Sequence, residues 1–335
     1  MTTYSRAEDE ASRHAPNVLR SVDGAELQTA QAHVEPNGVV NALTVDVEDY
    51  FQVSAFERYV PRERWSTIDC RVEPNVDCIL EMFDSVRTRA TFFTLGWVAE
   101  RFPEMTRRIV AEGHELASHG WAHRRVTTQD EAAFSEDVGR AKYFLEDLCG
   151  VEVKGYRAPS YSINGSNYRW AHAVLAHHGY RYSSSIAPIR HDLYGWPDAS
   201  PDPFPAADGA LVEIPISTIA LGSRNIACGG GGWFRLYPYA LTRHFVSRIN
   251  AAGRRYVFYF HPWELDVEQP RVTGVDARTR FRHYLNIGRV KPRVSRLLSD
   301  FHWDRMDRVF ADELSGGNPV AFPGSSRTAF TAASL

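Results

Sequence analysis

From about residue 39 to residue 312, short apolar runs alternate with longer stretches in which apolar residues recur every three or four positions. "VVNALTVDV" has the length and β-branched content of a buried strand. After it Val76, Ile79, Leu80, Phe83 and Val86 fall at helical spacing. "ATFFTLG" predicts a second strand, and Met105, Ile109 and Val110 mark one face of a helix that Gly113 stops. "HELASH" predicts a third strand. Thr128 and Glu131 have the spacing of a capping box ahead of a helix carrying Phe134, Val138, Ala141, Leu145 and Leu148, ended by Gly150. "VKGYRAP" predicts a fourth strand, followed by a helix around Trp170–His178 and the segment "YRYSSSI". "LVEIPIST", a helix near Tyr239–Ala252 and the strand "RRYVFYFH" complete the pattern. Strand and helix alternating at this rhythm predict an α/β fold with a parallel sheet or barrel. Residues 1–38 and 313–335 are polar and small without sustained periodicity. They are expected to be a disordered N-terminal tail and a flexible C-terminal tail around one domain at 39–312.

Composition narrows the function classes. The chain is 44% hydrophobic and 24% charged with a net charge of −3, so no basic surface points to nucleic acid. Cys70, Cys78, Cys149 and Cys228 form no C-x-x-C pair, which argues against a thiolate zinc site. No apolar run approaches the roughly 18 residues of a membrane span. The opening residues lack an apolar signal core, so the chain as written is expected to be cytoplasmic, with a periplasmic or envelope-associated location as the alternative. No G-x-G-x-x-G or Walker motif follows a strand. The glycine run Gly229–Trp233 lacks the phosphate-binding lysine and reads as a mobile loop over a site.

Polar residues gather at the carboxyl ends of the predicted strands, the edge where parallel barrels build active sites. Asp46 and Glu48 stand two apart, so on a strand both point to one face; one would hold a metal while the other takes a proton. Asp49 points away unless the chain turns. His119 and His123 follow the third strand, and two imidazoles with one carboxylate leave positions open for water and substrate. Arg157, in "RAPSY", would grip Asp46 bidentately and keep it ionised, and the Tyr161 backbone N–H would face a developing oxyanion. His261 closes an apolar strand and reads as a general acid. Trp121, Tyr161, Trp233 and Trp263 are candidates to stack on sugar faces, core packing being the alternative.

Taken in order, the carboxylate pair, "SHGWAH", "RAPSY" and the late strand-end histidine resemble the polysaccharide deacetylase family, carbohydrate esterase family 4. "NALTVDVEDYFQVSAFE" and "HYLNIGRVKPRVSRLLSDF" resemble its branch associated with exosortase and exopolysaccharide clusters, and the likeness covers about residues 39–310. The resemblance implies a distorted (β/α) barrel and metal-dependent removal of N-acetyl groups from a glycan. It implies Asp46 as general base, His119 and His123 as metal ligands with an acidic partner, Arg157 orienting Asp46, Tyr161 N–H on the oxyanion and His261 protonating the departing amine. The commonest family form has two adjacent aspartates, whereas here Val47 separates Asp46 from Glu48 and Asp49. Strand alternation selects Glu48 as the metal carboxylate, with Asp49 in reserve. Asp192 and Glu264 are candidates for the acid that partners the arginine or the late histidine.

The ion expected is Zn2+, with Co2+, Mn2+, Fe2+ or Ni2+ as alternatives. The expected substrate is an N-acetylated polysaccharide or oligosaccharide, with association to exopolysaccharide export machinery as a further expectation. Two rivals stand beside this reading: a metal-dependent amidohydrolase of a small cyclic amide or ureide, favoured by a narrow closed pocket, and a non-catalytic glycan-binding protein, which would tolerate loss of Asp46 or His261.

Overall fold

The first apolar run forms β1 (Val40–Val47), and its alternation sets the architecture. Leu43, Val45 and Val47 pack outward in one core cluster with Val72, Val76, Ile79, Leu80, Met82 and Phe83 of the helix Val72–Ser85. Ala42 lies in a different cluster with Phe93, Ala117, Tyr182, Val257 and Met306, which fills the inside of the sheet. Thr44 and Asp46 are in phase with Ala42 and therefore face inward. A computed structural model describes residues 38–192, 194–222 and 224–316; the segments 1–37 and 317–335 of the expected tails lie outside the described residues.

The remaining strands are β2 (Thr91–Thr94), β3 (Glu115–Ser118), β4 (Gly155–Tyr156), β5 (Tyr182–Ser183), β6 (Phe204–Ala206), β7 (Leu211–Glu213), β8 (Thr218–Leu221), β9 (Arg224–Ala227), β10 (Val257–Phe260) and β11 (His302–Asp304). One sheet runs β10-β1-β2-β3-β4-β5-β7-β6, with β11 pairing the first residues of β1. Every pair in it is parallel except β6 with β7. β8 and β9 form a separate antiparallel hairpin. The curled parallel sheet agrees with the parallel sheet or barrel that the alternation predicted and with the distorted (β/α) barrel that the resemblance implied, left open between β10 and β6 among the described residues.

The long helix Glu131–Cys149 buries Phe134, Val138 and Leu145 completely. Each such side chain contributes about 1.5–3 kcal/mol by leaving water. Gly150 ends the helix at φ 67°, as expected. The start differs from the expected capping box. Asp130 is the N-cap and accepts from the Ala133 N–H at 2.8 Å, while the Thr128 hydroxyl donates to the Arg125 carbonyl and closes the preceding turn. The glycine run also departs from expectation. Gly230 bridges to Tyr259 of β10, and a Cβ there would stand 1.9 Å from the Tyr259 carbonyl oxygen. The run is packed flush against a strand, which requires glycine and is not the behaviour of a loose lid.

Candidate active site

Parallel pairing brings the carboxyl ends of β10, β1, β3 and β4 to one rim, and each carries a candidate residue there. In each strand the residue is in phase with inward-facing neighbours: Thr44 and Asp46, Ala117 and His119, Tyr259 and His261. Asp46, Glu48, His119 and His123 are all at most 4% exposed.

Arg157 is fully buried and organises the rim. Its Nη1 donates to Asp46 Oδ1 at 2.6 Å and to Thr44 Oγ1 at 2.7 Å. Nε donates to the Ser184 carbonyl and Nη2 to the Ser184 hydroxyl, at 3.1 and 3.0 Å. The guanidinium carbon sits 4.0 Å from the centre of the Phe93 ring. A buried cation is tolerable only when its donors are satisfied in this way. The contact to Asp46 is through one nitrogen and one oxygen, not the bidentate fork expected, because Ser184 occupies the other side of the guanidinium. Asp46 Oδ2 is left to face His261 Nε2 at 4.0 Å.

Glu48, His119 and His123 each offer a ligand atom, and these atoms lie within 4.8 Å of one another. His119 Nδ1 is 2.8 Å from the Arg157 carbonyl oxygen. A carbonyl only accepts, so Nδ1 carries the proton and the Nε2 lone pair is available. Burial lowers His119 to about 4, with Asp46 opposing, so the ring is neutral near pH 7. His123 sits at φ 50°, and Arg62 holds that bend by donating to the carbonyls of Ala122 and His123 at 2.7 and 2.8 Å. Burial would raise Glu48, but His123, His261 and His119 outweigh it and hold it at about 2. His123 Nε2 lies 2.8 Å from Glu48 Oε2, yet that oxygen has no aligned hydrogen-bond donor. A carboxylate oxygen without a donor, facing imidazole nitrogens in a buried space, is a donor set that fits a divalent cation.

His261 Nδ1 is 2.6 Å from Glu264 Oε1, and its Nε2 is 3.5 Å from Glu48 Oε1. Burial would push His261 down, but Glu264, Glu48 and Asp46 together raise it to about 9. Glu264 is fully buried and also paired with Arg235 Nε at 2.7 Å. Arg235 donates to the His283 carbonyl and lies 5.1 Å over Trp263. The Trp263 ring stacks on His261 at 5.2 Å and on His283 at 4.1 Å. Its Nε1 donates to Glu48 Oε1 at 3.3 Å. Glu264 is thus the acid behind the late histidine.

Several sequence candidates fall elsewhere. Asp49 is turned away from the histidines; its carboxylate accepts from the backbone N–H groups of Tyr50, Arg71 and Val72 at 2.6–3.0 Å and caps the start of the helix Val72–Ser85. Asp192 pairs with Arg278 and Arg282 at the surface and reaches neither Arg157 nor His261. The Tyr161 N–H donates to the Ala158 carbonyl at 2.9 Å, so it is spent inside a tight turn in which Ser160 and Tyr161 both adopt left-handed φ. Its ring packs edge-on against Tyr259 at 5.0 Å. Trp121, Tyr161 and Trp263 are buried and pack; of the four aromatic candidates only Trp233 is partly open. Sequence reasoning missed Arg235, Arg62 and Ser184, all of which act on candidate residues from distant positions.

Residues 60–183 match the polysaccharide deacetylase family, and residues 184–311 match a domain of unknown function (DUF3473). Over that first span the chain is similar to polysaccharide deacetylases. Its deacetylase-family span supplies His119, His123 and Arg157, the second span supplies Arg235, His261 and Glu264, and Asp46 and Glu48 precede both. The site is therefore complete only when all three segments are folded together. A peptidoglycan-N-acetylglucosamine deacetylase of Bacillus cereus is 31% identical over 93 residues, 28% of this chain and 34% of that protein. A chitooligosaccharide deacetylase of Bradyrhizobium sp. is 31% identical over 106 residues, 31% of this chain and 46% of that protein. The chain thus spans between a third and a half of the length of these curated relatives. The crystal structure of a Mycobacterium smegmatis protein named for the same family superposes with a TM-score of 0.54 at 22% identity, covering 84% of this chain and 92% of that one. It supports the barrel fold.

Proposed function

We propose that this protein hydrolyses the N-acetyl amide of an amino sugar within a polysaccharide, releasing acetate and leaving a free amine. The observation that carries the reading is the placement of Asp46. One of its oxygens is fixed by buried Arg157, and the other is 4.0 Å from His261, beside the Glu48–His119–His123 cluster. Asp46 would take a proton from an attacking water. Glu264 fixes His261 Nδ1, so Nε2 is the atom from which a proton would reach the leaving nitrogen. Glu48, His119 and His123 would hold a divalent ion, Zn2+ by preference for two imidazoles and one carboxylate. That ion, when bound, would polarise the acetyl carbonyl and acidify water. The Tyr161 N–H is not counted among the oxyanion donors.

The polymer is read as an exopolysaccharide, from the opening and late segments that resemble that branch. The names of the relatives above support an N-acetylated glycan over a small cyclic amide. The test is acetate release from N-acetylated glycans and chitooligosaccharides by the full chain. Release is expected to stop with a chelator and to return when Zn2+ is added back. Release that is indifferent to chelator rejects the metal-dependent mechanism. No release from any N-acetylated glycan, with hydrolysis of a cyclic amide instead, selects the amidohydrolase reading.

A further inference from the structure

Between Arg271 and Arg296 the chain carries seven arginines and one lysine against a single acid, Asp276, although its net charge is −3. Most of these cations have partners. Arg278 and Arg282 share Asp192 at 2.9 and 3.1 Å. Arg293 donates to the carbonyls of Phe234, Arg235 and Tyr237 at 3.1–3.3 Å. Arg271 and Arg280 are exposed and have no carboxylate partner among the described residues. Both line a depression of about 430 Å³ on the helix Ala277–Tyr284, together with Phe281, Tyr284 and Leu285. Phe281 is 60% exposed, and the Arg271 guanidinium lies 3.9 Å over the Tyr284 ring.

We propose that this depression is a subsite for a carboxylate-bearing sugar, so that the polymer is an anionic glycan. The inference rests on the deacetylase reading and names its substrate class. Two guanidiniums without a carboxylate partner, beside the exposed Phe281 ring, match a uronate: the ring would accept the C–H face of the sugar and the guanidiniums its carboxylate. A neutral amino sugar would leave both cations unused. A stack of rings links the depression to the candidate site through the interior. Tyr284 neighbours His283 at 4.6 Å, His283 stacks on Trp263 at 4.1 Å, and Trp263 stacks on His261 at 5.2 Å. A glycan seated on Tyr284 is therefore separated by two rings, His283 and Trp263, from the imidazole that would serve the leaving nitrogen. A small, open, arginine-lined patch with one protruding ring suits a saccharide better than a lipid surface, which would call for a broad apolar face.

The test compares hyaluronan oligosaccharides, which alternate N-acetylglucosamine with a uronate, with neutral chitooligosaccharides. Binding to the full chain is measured by calorimetry at low and high salt. The native chain is expected to bind hyaluronan oligomers more tightly, with the preference shrinking as salt screens the charges. The double variant R271Q/R280Q is expected to weaken hyaluronan binding by about tenfold, the scale of two exposed charge-assisted contacts, and to leave chitooligosaccharide binding and the melting temperature unchanged. Equal affinity of the native chain for the two oligomers overturns the proposal, as does a double variant that still binds hyaluronan normally. Sedimentation with phosphatidylglycerol vesicles that the double variant loses, without a hyaluronan preference, assigns the patch to membrane instead. Acetate release is scored separately: its absence from both oligomers counts against the hydrolase, while the binding comparison still decides the subsite.

Discussion

Glu48 and Glu115 are both almost wholly buried and both point inside the same sheet, at opposite ends of it. Burial acts on the two alike, raising the pKa of each. At the carboxyl rim His123, His261 and His119 surround Glu48, and their attraction reverses that effect to hold it at about 2. At the amino end Glu115 is raised to about 7, since burial dominates and Asp307 adds to it. Its partners there are hydroxyls and an amide: Thr91 Oγ1 at 2.5 Å, Tyr182 OH at 2.9 Å and the Asp307 N–H at 3.2 Å. Partner chemistry therefore decides protonation where burial is equal. Cationic or metal-binding neighbours keep a carboxylate charged, and neutral dipoles let it take up a proton and serve as part of a plug. The rim favours the charged carboxylate, whereas the floor, where Asp307 is a neighbour, favours the protonated one.

The largest effect expected at the rim comes from His119→Ala. It should lose both bound metal, measured by elemental analysis after loading, and acetate release; retained stoichiometric metal would remove His119 from the ligand set. Asp46→Asn should lower acetate release by about 10²–10⁴, the range for a general base, while metal content stays normal. Unchanged turnover in that variant would reject the base assignment. At the floor the effect is on stability. Because Glu115 has a raised folded pKa, its contribution is fully present below its unfolded value near 4.5 and is lost as pH climbs through about 7. Glu115→Gln, which stays neutral, should flatten that decline by on the order of 1 kcal/mol or more, read from denaturant unfolding at pH 4.5 and pH 8. Parallel declines in the two proteins would mean that Glu115 is charged in the fold. Asp130→Ala, remote from both clusters, should cost about 1 kcal/mol at either pH by removing one helix cap. It calibrates how large an ordinary local loss is.

The barrel and most of the rim were legible because both rest on short-range periodicity. Alternation along β1 alone places Asp46 and Glu48 on the inside, and strand ends carry His119, Arg157 and His261 to one edge. What was illegible depends on where distant backbone stops. Asp49 looks like a third carboxylate until Arg71 and Val72, more than twenty residues later, present their N–H groups to it. Tyr161 looks like an oxyanion donor until the turn after Pro159 folds its N–H back on Ala158. Nothing in "GGWFRLY" announces that Arg235 crosses to Glu264, since a single arginine in a short helix has no periodic signature. The capping error at Thr128 is of another kind, because Asp130 offers the same chemistry two residues on.

Arg157 carries one more consequence. Its side chain holds Asp46 while its main-chain oxygen holds His119. The carboxylate proposed as proton acceptor and one ring proposed as a metal ligand are thus clamped to a common bracket, and a displacement of that bracket carries them along together. Their mutual spacing is thus tied to a single residue, whereas His261 is mounted separately, on β10 and through Glu264 and Arg235.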